Sequence, residues 1–301
     1  MEVGPSSGSP NTSSPFDAHP VRLARGVPAV ASAVAFGGPP ASPRLPAEGR
    51  LTVMLPVHNE ADSISPVLEE VARTITAPSG AELLVCEDGS SDRSAEVLLA
   101  LQPRMGFRLF VRPDRRGYGP AVAFGMQQVR TPLLFFMDSD GQYAPEDFWT
   151  LWNRLDSYDM VIGRKTRREE PLYRTILSRG FHLLVRLFTG VRLKDMDCGF
   201  RIVRREVWEA VLPEIHHLRY SFWAEFSIRA VRKGFRVAEA PVEHRARLHG
   251  TTTIYRPLQV PRIVVDQVLG LVKLSRELKR RILRDPTLQP RPPLAGGSEA
   301  E

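Results

Sequence analysis

Residues Leu133–Gln142 read L-L-F-F-M-D-S-D-G-Q, five apolar side chains in a row and then two aspartates two places apart. An uninterrupted apolar run of this length reads as a strand buried on both faces. In extended backbone, residues two apart point the same way, so Asp138 and Asp140 are placed to converge on one hard cation. Two earlier runs end alike. Leu51–Val57 leads into His58-Asn59-Glu60, and Leu83–Cys86 leads into Glu87-Asp88-Gly89-Ser90-Ser91-Asp92. An acidic turn capping the next helix accounts for any one such cluster. Three in succession, each at a strand end of one sheet, point to a shared ligand.

Helical patterns separate the strands. Ile64, Val67, Leu68 and Val71 follow the i, i+3, i+4, i+7 spacing. Ser91–Leu101 opens on Ser and Asp capping residues, and Pro120–Val129 follows a short strand at Leu109–Val111. Pro145 opens a segment running to Leu155, and Met160–Gly163 is a further strand. This β-α-β-α-β order implies an α/β fold with a mainly parallel central sheet and helices on both faces, its ligands beyond the carboxyl ends of the strands. Helices are expected at Leu172–Phe188, Arg205–Leu212 and Trp223–Lys233, and strands at Gly199–Val203 and Val237–Val242. Pro257–Arg284 reads as one long amphipathic helix.

The chain has 301 residues, 43% hydrophobic and 25% charged, which excludes a collagen, a coiled coil or a wholly disordered chain. Residues 1–49 are rich in Ser, Pro, Gly and Ala and read as a disordered arm, and 286–301 as a disordered tail. Between them lie a folded unit at 50–256 and a basic amphipathic helix at 257–285. The formal charge of +7 is mostly C-terminal, since Arg262–Arg284 holds seven basic residues against Asp266 and Glu277. No apolar run approaches the ~20 residues of a membrane span. Val27–Phe36 lacks the leucines and the short leader of a signal peptide. Cys86 and Cys198 cannot build a disulfide framework and fit a reducing compartment.

The three clusters suggest a metal-bridged nucleoside diphosphate. Asp138 and Asp140 would hold Mg²⁺ or Mn²⁺, with Gln142 adding a neutral oxygen. Asp88 suits the ribose or base, and Gly89 allows a tight turn against the ligand. The motifs in order are L-P-V-H-N-E at Leu55–Glu60, E-D-G-S-S-D at Glu87–Asp92 and R-R-G-Y-G-P-A at Arg115–Ala121. M-D-S-D-G-Q at Met137–Gln142, I-G-R-K at Ile162–Lys165 and the stretch Arg174–Gly180 follow. D-M-D-C-G-F-R at Asp195–Arg201 and E-H-R-A-R at Glu243–Arg247 complete the set. Over about Leu51–Thr253 it resembles the family 2 glycosyltransferases of GT-A fold, the nucleotide-diphospho-sugar transferase fold, and among them the dolichyl- or polyprenyl-phosphate sugar transferases.

That resemblance implies a nucleotide pocket lined by Pro56, His58, Glu60, Glu87 and Asp88, with Gly117 and Gly119 opening a loop beside the donor. It implies Asp138, Asp140 and Gln142 as metal ligands. Arg164, Arg174, Ser178 and Arg245 fall at the phosphate-gripping positions, with Arg247 competing for the last. Asp195 and Asp197 stand either as turn-formers or as active-site carboxylates. The expected reaction is inverting, metal-dependent transfer of a sugar from a UDP- or GDP-linked donor to a polyprenyl or dolichyl phosphate. The expected setting is cytoplasmic, peripheral at the inner face of the membrane, with contact through the C-terminal helix or a membrane partner subunit and no nucleic acid.

Departures from the family pattern are Glu87 where Asp is commoner, His58 where Tyr is frequent, and Gly250-Thr251-Thr252-Thr253 where Gly-x-Ser-Lys is usual. The alternatives are the same donor chemistry on a soluble phosphorylated or polysaccharide acceptor, a non-catalytic nucleotide-sugar-binding subunit, and a nucleotidyltransferase. Gly117-Tyr118-Gly119 is only half a dinucleotide fingerprint, so a Rossmann NAD site is not expected. His244 and His249 read as loop histidines, His216-His217 as helix-end residues, and Trp208, Trp223 and Phe226 as core.

Overall fold

Two fully buried strands, β1 (Leu51–Val57) and β4 (Leu133–Met137), lie side by side in parallel within a seven-stranded sheet. Neither exposes an alternating polar face because both sides of the sheet are covered. The computed structural model describes residues 49–166, 172–246 and 260–284, the backbone alone at 172–177 and 281–284. The expectations for the arm, the tail, Arg247 and residues 257–259 fall outside the described residues.

The remaining strands are β2 (Glu82–Asp88), β3 (Arg108–Arg112), β5 (Met160–Lys165), β6 (Phe200–Arg204) and β7 (Val237–Val242). Their order is β3-β2-β1-β4-β6-β5-β7. Pairings β1–β2, β2–β3, β1–β4 and β5–β7 are parallel, as the alternating pattern implies. β6 departs from that pattern, inserting antiparallel between β4 and β5. Strands β2 and β4 flank β1 on opposite sides, and the crevice beyond that switch point is where such sheets hold ligands. Because β6 runs backwards, the turn before it meets the carboxyl end of β4: Phe200 pairs with Met137, and the Asp138 N–H donates to the Gly199 carbonyl at 3.0 Å.

Helix α1 (Ile64–Val71) buries the four residues its spacing picks out and continues through a π turn at Ala72–Thr76. Helices α2 (Ser94–Met105), α3 (Tyr118–Gln128), α4 (Phe148–Trp152), α5 (Leu172–Thr189), α6 (Arg205–Val211) and α7 (Phe222–Arg232) follow. The last, α8 (Val260–Arg284), packs along α5. Its Leu271, Leu274 and Leu278 join Val185, Ala224, Ile228, Met196 and Leu218 in a second, smaller core. Part of the apolar side of α8 is therefore spent on the folded unit, while Val264, Val265 and Leu269 stay exposed.

Candidate active site

The carboxyl ends of β1, β2 and β4 gather the three polar clusters at one edge. The Ser139 hydroxyl donates to the Pro56 carbonyl at 2.6 Å, tying the β4 turn to β1. His58 Nδ1 lies 3.1 Å from the Asp88 carbonyl, so its ring stands over the β2 end. Asp88 is buried, and its carboxylate accepts the backbone N–H of Arg116 at 3.1 Å and of Gly117 at 2.8 Å. A carboxylate held this way fixes the 115–119 loop, and Gly117, at φ +98°, takes the left-handed turn into α3. A side chain at Gly89 would collide with the backbone of Asp114 and Arg115, which is why the E-D-G turn can lie against that loop.

Two residues expected in the nucleotide pocket turn inward instead. Glu60 is buried, and its carboxylate accepts the Ser63 hydroxyl at 2.6 Å, bracing the start of α1. Glu87 is buried and accepts the Ser90 N–H, closing its own turn. Their carboxylates build the platform on which Asp88 and His58 stand.

Asp138 is held between Tyr118 and Gly199. Tyr118 donates its hydroxyl to Oδ1 at 2.7 Å, and Trp223 Nε1 donates to the Tyr118 oxygen at 2.8 Å. The indole N–H can only donate, so the tyrosine proton is left facing the aspartate. On the other side Gly199 lies so near Oδ2 that a Cβ there would overlap it. Desolvation in this cleft pushes Asp138 up to about 7, the neighbouring Asp140 charge adds to the rise, and the Tyr118 bond, Lys165 and Arg201 oppose it. Asp140 Oδ1 accepts the Gln142 N–H at 3.1 Å. Gln142 gives its amide nitrogen to the Arg245 carbonyl at 3.3 Å, leaving the amide oxygen for a cation. Two hard carboxylates with a neutral oxygen beside them fit Mg²⁺ or Mn²⁺ by donor chemistry.

A raised carboxyl has a definite pH signature. The folded chain keeps the Asp138 proton between the usual 3.8 and about 7, so this group's stabilising effect is full below pH 3.8 and is lost as pH rises through 7. A proton also competes with metal. Mn²⁺ affinity, measured calorimetrically, is expected to be about tenfold weaker at pH 6 than at pH 8. Asp138→Asn should flatten that dependence, and a flat profile in the parent chain would contradict the assignment.

The turn before β6 is built by residues with structural duties. Asp195 is buried and accepts the Lys165 N–H at 3.1 Å, while Glu239 accepts the Lys194 and Asp195 N–H groups at 2.8 and 2.7 Å. Asp197 accepts the Ala224 N–H at 3.0 Å at the start of α7, and desolvation lifts it to about 6. These bonds favour the turn-forming reading of both. Arg201 is fully buried, with its guanidinium 3.9 Å from the centroid of the Trp223 ring and donating to the Cys198 and Met196 carbonyls.

Of the phosphate-gripping candidates, Arg164 is half-buried at the end of β5 and Ser178 half-buried on α5. The Arg174 side chain, like Arg247, falls outside what is described. Arg245 is drawn to Glu70 at 3.0 Å and Glu146 at 3.5 Å. Tyr118, Trp223, Gly199 and Lys165 are the site residues that pattern reading passed over. Tyr118 sits between two glycines of a quoted motif, which was the available signal. Trp223 looks like any core aromatic and offered none.

The family description "Glycosyl transferase family 2" matches residues 52–212. The undecaprenyl-phosphate 4-deoxy-4-formamido-L-arabinose transferase of Edwardsiella ictaluri is 34% identical over 73% of this chain and 67% of its own. A dolichyl-phosphate beta-glucosyltransferase of Trichomonas vaginalis is 30% identical over 66% of this chain and 64% of its own. The chain thus spans about two thirds of the length of these curated relatives. Among solved structures, glucosyl-3-phosphoglycerate synthase from Mycobacterium tuberculosis, in complex with Mn²⁺, UDP and glucosyl-3-phosphoglycerate, superposes with a TM-score of 0.55. At 19% identity over 75% of this chain and 80% of that one, it shows a shared fold, the GT-A fold expected above.

Proposed function

The chain belongs to glycosyl transferase family 2, and from that premise we propose that it transfers a sugar, with inversion, from a nucleoside diphosphate donor to a polyprenyl or dolichyl phosphate. The observation that carries the reading is the carboxylate pair Asp138 and Asp140 at the switch-point edge, in a chain whose relatives are named for lipid-phosphate acceptors.

Each part of the site then has a task. Asp138, Asp140 and Gln142 hold the divalent cation, which when bound neutralises charge growing on the departing diphosphate. Asp88 holds the Gly117–Gly119 loop beside the donor, and Pro56 and His58 border the base, over the platform made by Glu60 and Glu87. An acceptor phosphate is already ionised at neutral pH, so no strong general base is needed. That suits Asp195, buried and accepting the Lys165 N–H, and Asp197, whose Oδ1 accepts the Ala224 N–H. Bringing two anions together needs fixed positive charge, supplied by Arg164, Arg174 and Arg245, with Arg247 and Ser178 assisting. For Arg245 the acceptor must compete with Glu70 and Glu146.

The test is a panel of UDP- and GDP-sugars with undecaprenyl or dolichyl phosphate, with and without Mn²⁺. Metal-dependent release of nucleoside diphosphate with formation of a charged glycolipid is expected. Turnover confined to a water-soluble acceptor would overturn the acceptor assignment.

No helix among the described residues is long and apolar enough to cross a membrane. For membrane contact the candidate is the exposed apolar set on neighbouring helices, Leu183 and Leu187 of α5 with Val264, Val265 and Leu269 of α8. Exposed Arg262, Lys273, Arg276, Lys279 and Arg280 on α8 suit an anionic cytoplasmic leaflet. Truncating α8 would also strip Leu271, Leu274 and Leu278 from the core, so substitution is the cleaner probe. Co-sedimentation with vesicles containing phosphatidylglycerol is expected to drop at least about tenfold in Val265→Asp/Leu269→Asp. Unchanged co-sedimentation would remove this surface from the account.

A further inference from the structure

The pair His216-His217, which pattern reading placed at a helix end, meets α8 across a tight cluster. His217 Nε2 lies 2.6 Å from Glu277 Oε2, and His216 Nε2 lies 3.6 Å from the same oxygen. The two imidazole centroids are 4.1 Å apart, and one ligand atom from each of the three side chains falls within 4.8 Å of the others. We propose that His216, His217 and Glu277 form a second metal site, for one divalent transition cation of the zinc class, which fastens α8 to the catalytic unit.

The loop carrying the histidines is held in place before any cation arrives. Glu225 of α7, fully buried, accepts three consecutive backbone N–H groups, from His216 at 3.2 Å, His217 at 2.8 Å and Leu218 at 2.6 Å. Glu277 is aimed in turn by Arg229, whose Nη1 and Nη2 donate to its two oxygens at 2.8 and 3.3 Å. Outer hydrogen bonds of this kind orient metal ligands and tune their affinity.

The distances suit a small tetrahedral ion. Zinc bonds of ~2.0–2.2 Å set neighbouring ligand atoms roughly 3.3–3.5 Å apart. The His216–Glu277 edge already has about that length, and the His217–Glu277 edge must open by less than about 1 Å. His216 is 57% exposed, which leaves water access to a fourth position.

Charge supplies an independent reason. Arg229 and Lys233 face three acids, Glu214, Glu225 and Glu277, in one connected network. Counted over these five side chains alone, with both imidazoles neutral, acids outnumber bases by one, which favours a divalent cation. Two imidazoles and one carboxylate favour zinc, nickel, copper or cobalt, whereas the all-oxygen pair at β4 favours magnesium or manganese. Since Glu277 is the only ligand from α8, the cation would bridge the 216–217 loop to the basic helix. The site does not depend on the transfer reading.

The experiment uses the full chain stripped with chelator, with Zn²⁺ titrated in competition with a fluorescent chelator and Co²⁺ as the spectroscopic probe. One equivalent of Zn²⁺ is expected at this site, with Co²⁺ giving the strong visible bands of a tetrahedral ion. His216→Ala should weaken Zn²⁺ binding at least about tenfold and erase those bands, while Asp140→Asn leaves both in place. His216 is mostly exposed and its imidazole reaches Glu277 only at 3.6 Å, so its removal spares the fold, and circular dichroism checks this. Zinc affinity unchanged in both His216→Ala and His217→Ala, or a cobalt spectrum of octahedral type, would overturn the proposal. So would a melting temperature indifferent to Zn²⁺, which would leave the cluster as a plain His–Glu ion pair.

Discussion

Asp140→Ala lowers kcat/KM for sugar transfer by about 1,000-fold or more, with the fold preserved. Asp140 stands just beyond the end of a fully buried strand and shares a field with Asp138, whose carboxyl is already driven up to about 7. Removing one of two ligating carboxylates leaves a divalent cation too weakly held to offset charge on the leaving diphosphate. The substitution also takes away the acceptor of the Gln142 N–H bond at 3.1 Å, but this lies in a half-buried turn, so little stability is at stake. Asp140→Asn keeps an acceptor for that bond and separates the turn from the metal. Nucleoside diphosphate release with saturating Mn²⁺ is the measurement, with calorimetry of Mn²⁺ binding beside it. Full activity in both variants would defeat the metal assignment.

Gly199→Ala is expected to cost at least about 100-fold in activity and about 1–3 kcal/mol in stability, although it adds only a single methyl group. The added Cβ would occupy the space of Asp138 Oδ2. Relief requires either rotating Asp138 away from Tyr118 or parting β4 from β6, whose Asp138–Gly199 backbone bond measures 3.0 Å. Gly180→Ala is the contrast, since nothing lies within 4 Å of the new atom and the site is helical. That change should be neutral or stabilising by up to about 1 kcal/mol. Thermal melts and Mn²⁺ titrations of the two variants decide between a steric effect on Asp138 and a general intolerance of the chain. Equal behaviour of both would remove Gly199 from the site.

The legibility of the chain was uneven for identifiable reasons. Every strand and main helix of the described residues was marked by local patterning, from the five-residue apolar run at Leu133–Met137 to the spacing of Ile64, Val67, Leu68 and Val71. The clusters at the strand ends do come together at one edge of the sheet. What misled was the direction of individual carboxylates. Glu60 shares a motif with His58 and Glu87 shares one with Asp88, but both close turns, with Ser63 and Ser90. A side chain one bond longer, next to a serine N–H or hydroxyl, is satisfied within its own turn. Of the two readings of α8, packing is seen on one side of the helix, and a second apolar side stays exposed. Its Leu271, Leu274 and Leu278 go inward, and its Val265 and Leu269 stay out.

Periodicity and strand-end chemistry belong to residues a few places apart, and local forces suffice to express them. From those came the expectation of the α/β class and of a site at the carboxyl edge, while the family was implied by the resemblance of the ordered motif set. Tertiary structure alone decided that β6 runs backwards and brings Gly199 against Asp138, that Trp223 orients Tyr118, and that Glu277 meets His217. Those partners stand far apart in the chain, 60 residues for Glu277 and His217 and 105 for Trp223 and Tyr118. Their meeting depends on how the sheet closes and where the helices come to rest, which no window of neighbouring residues encodes.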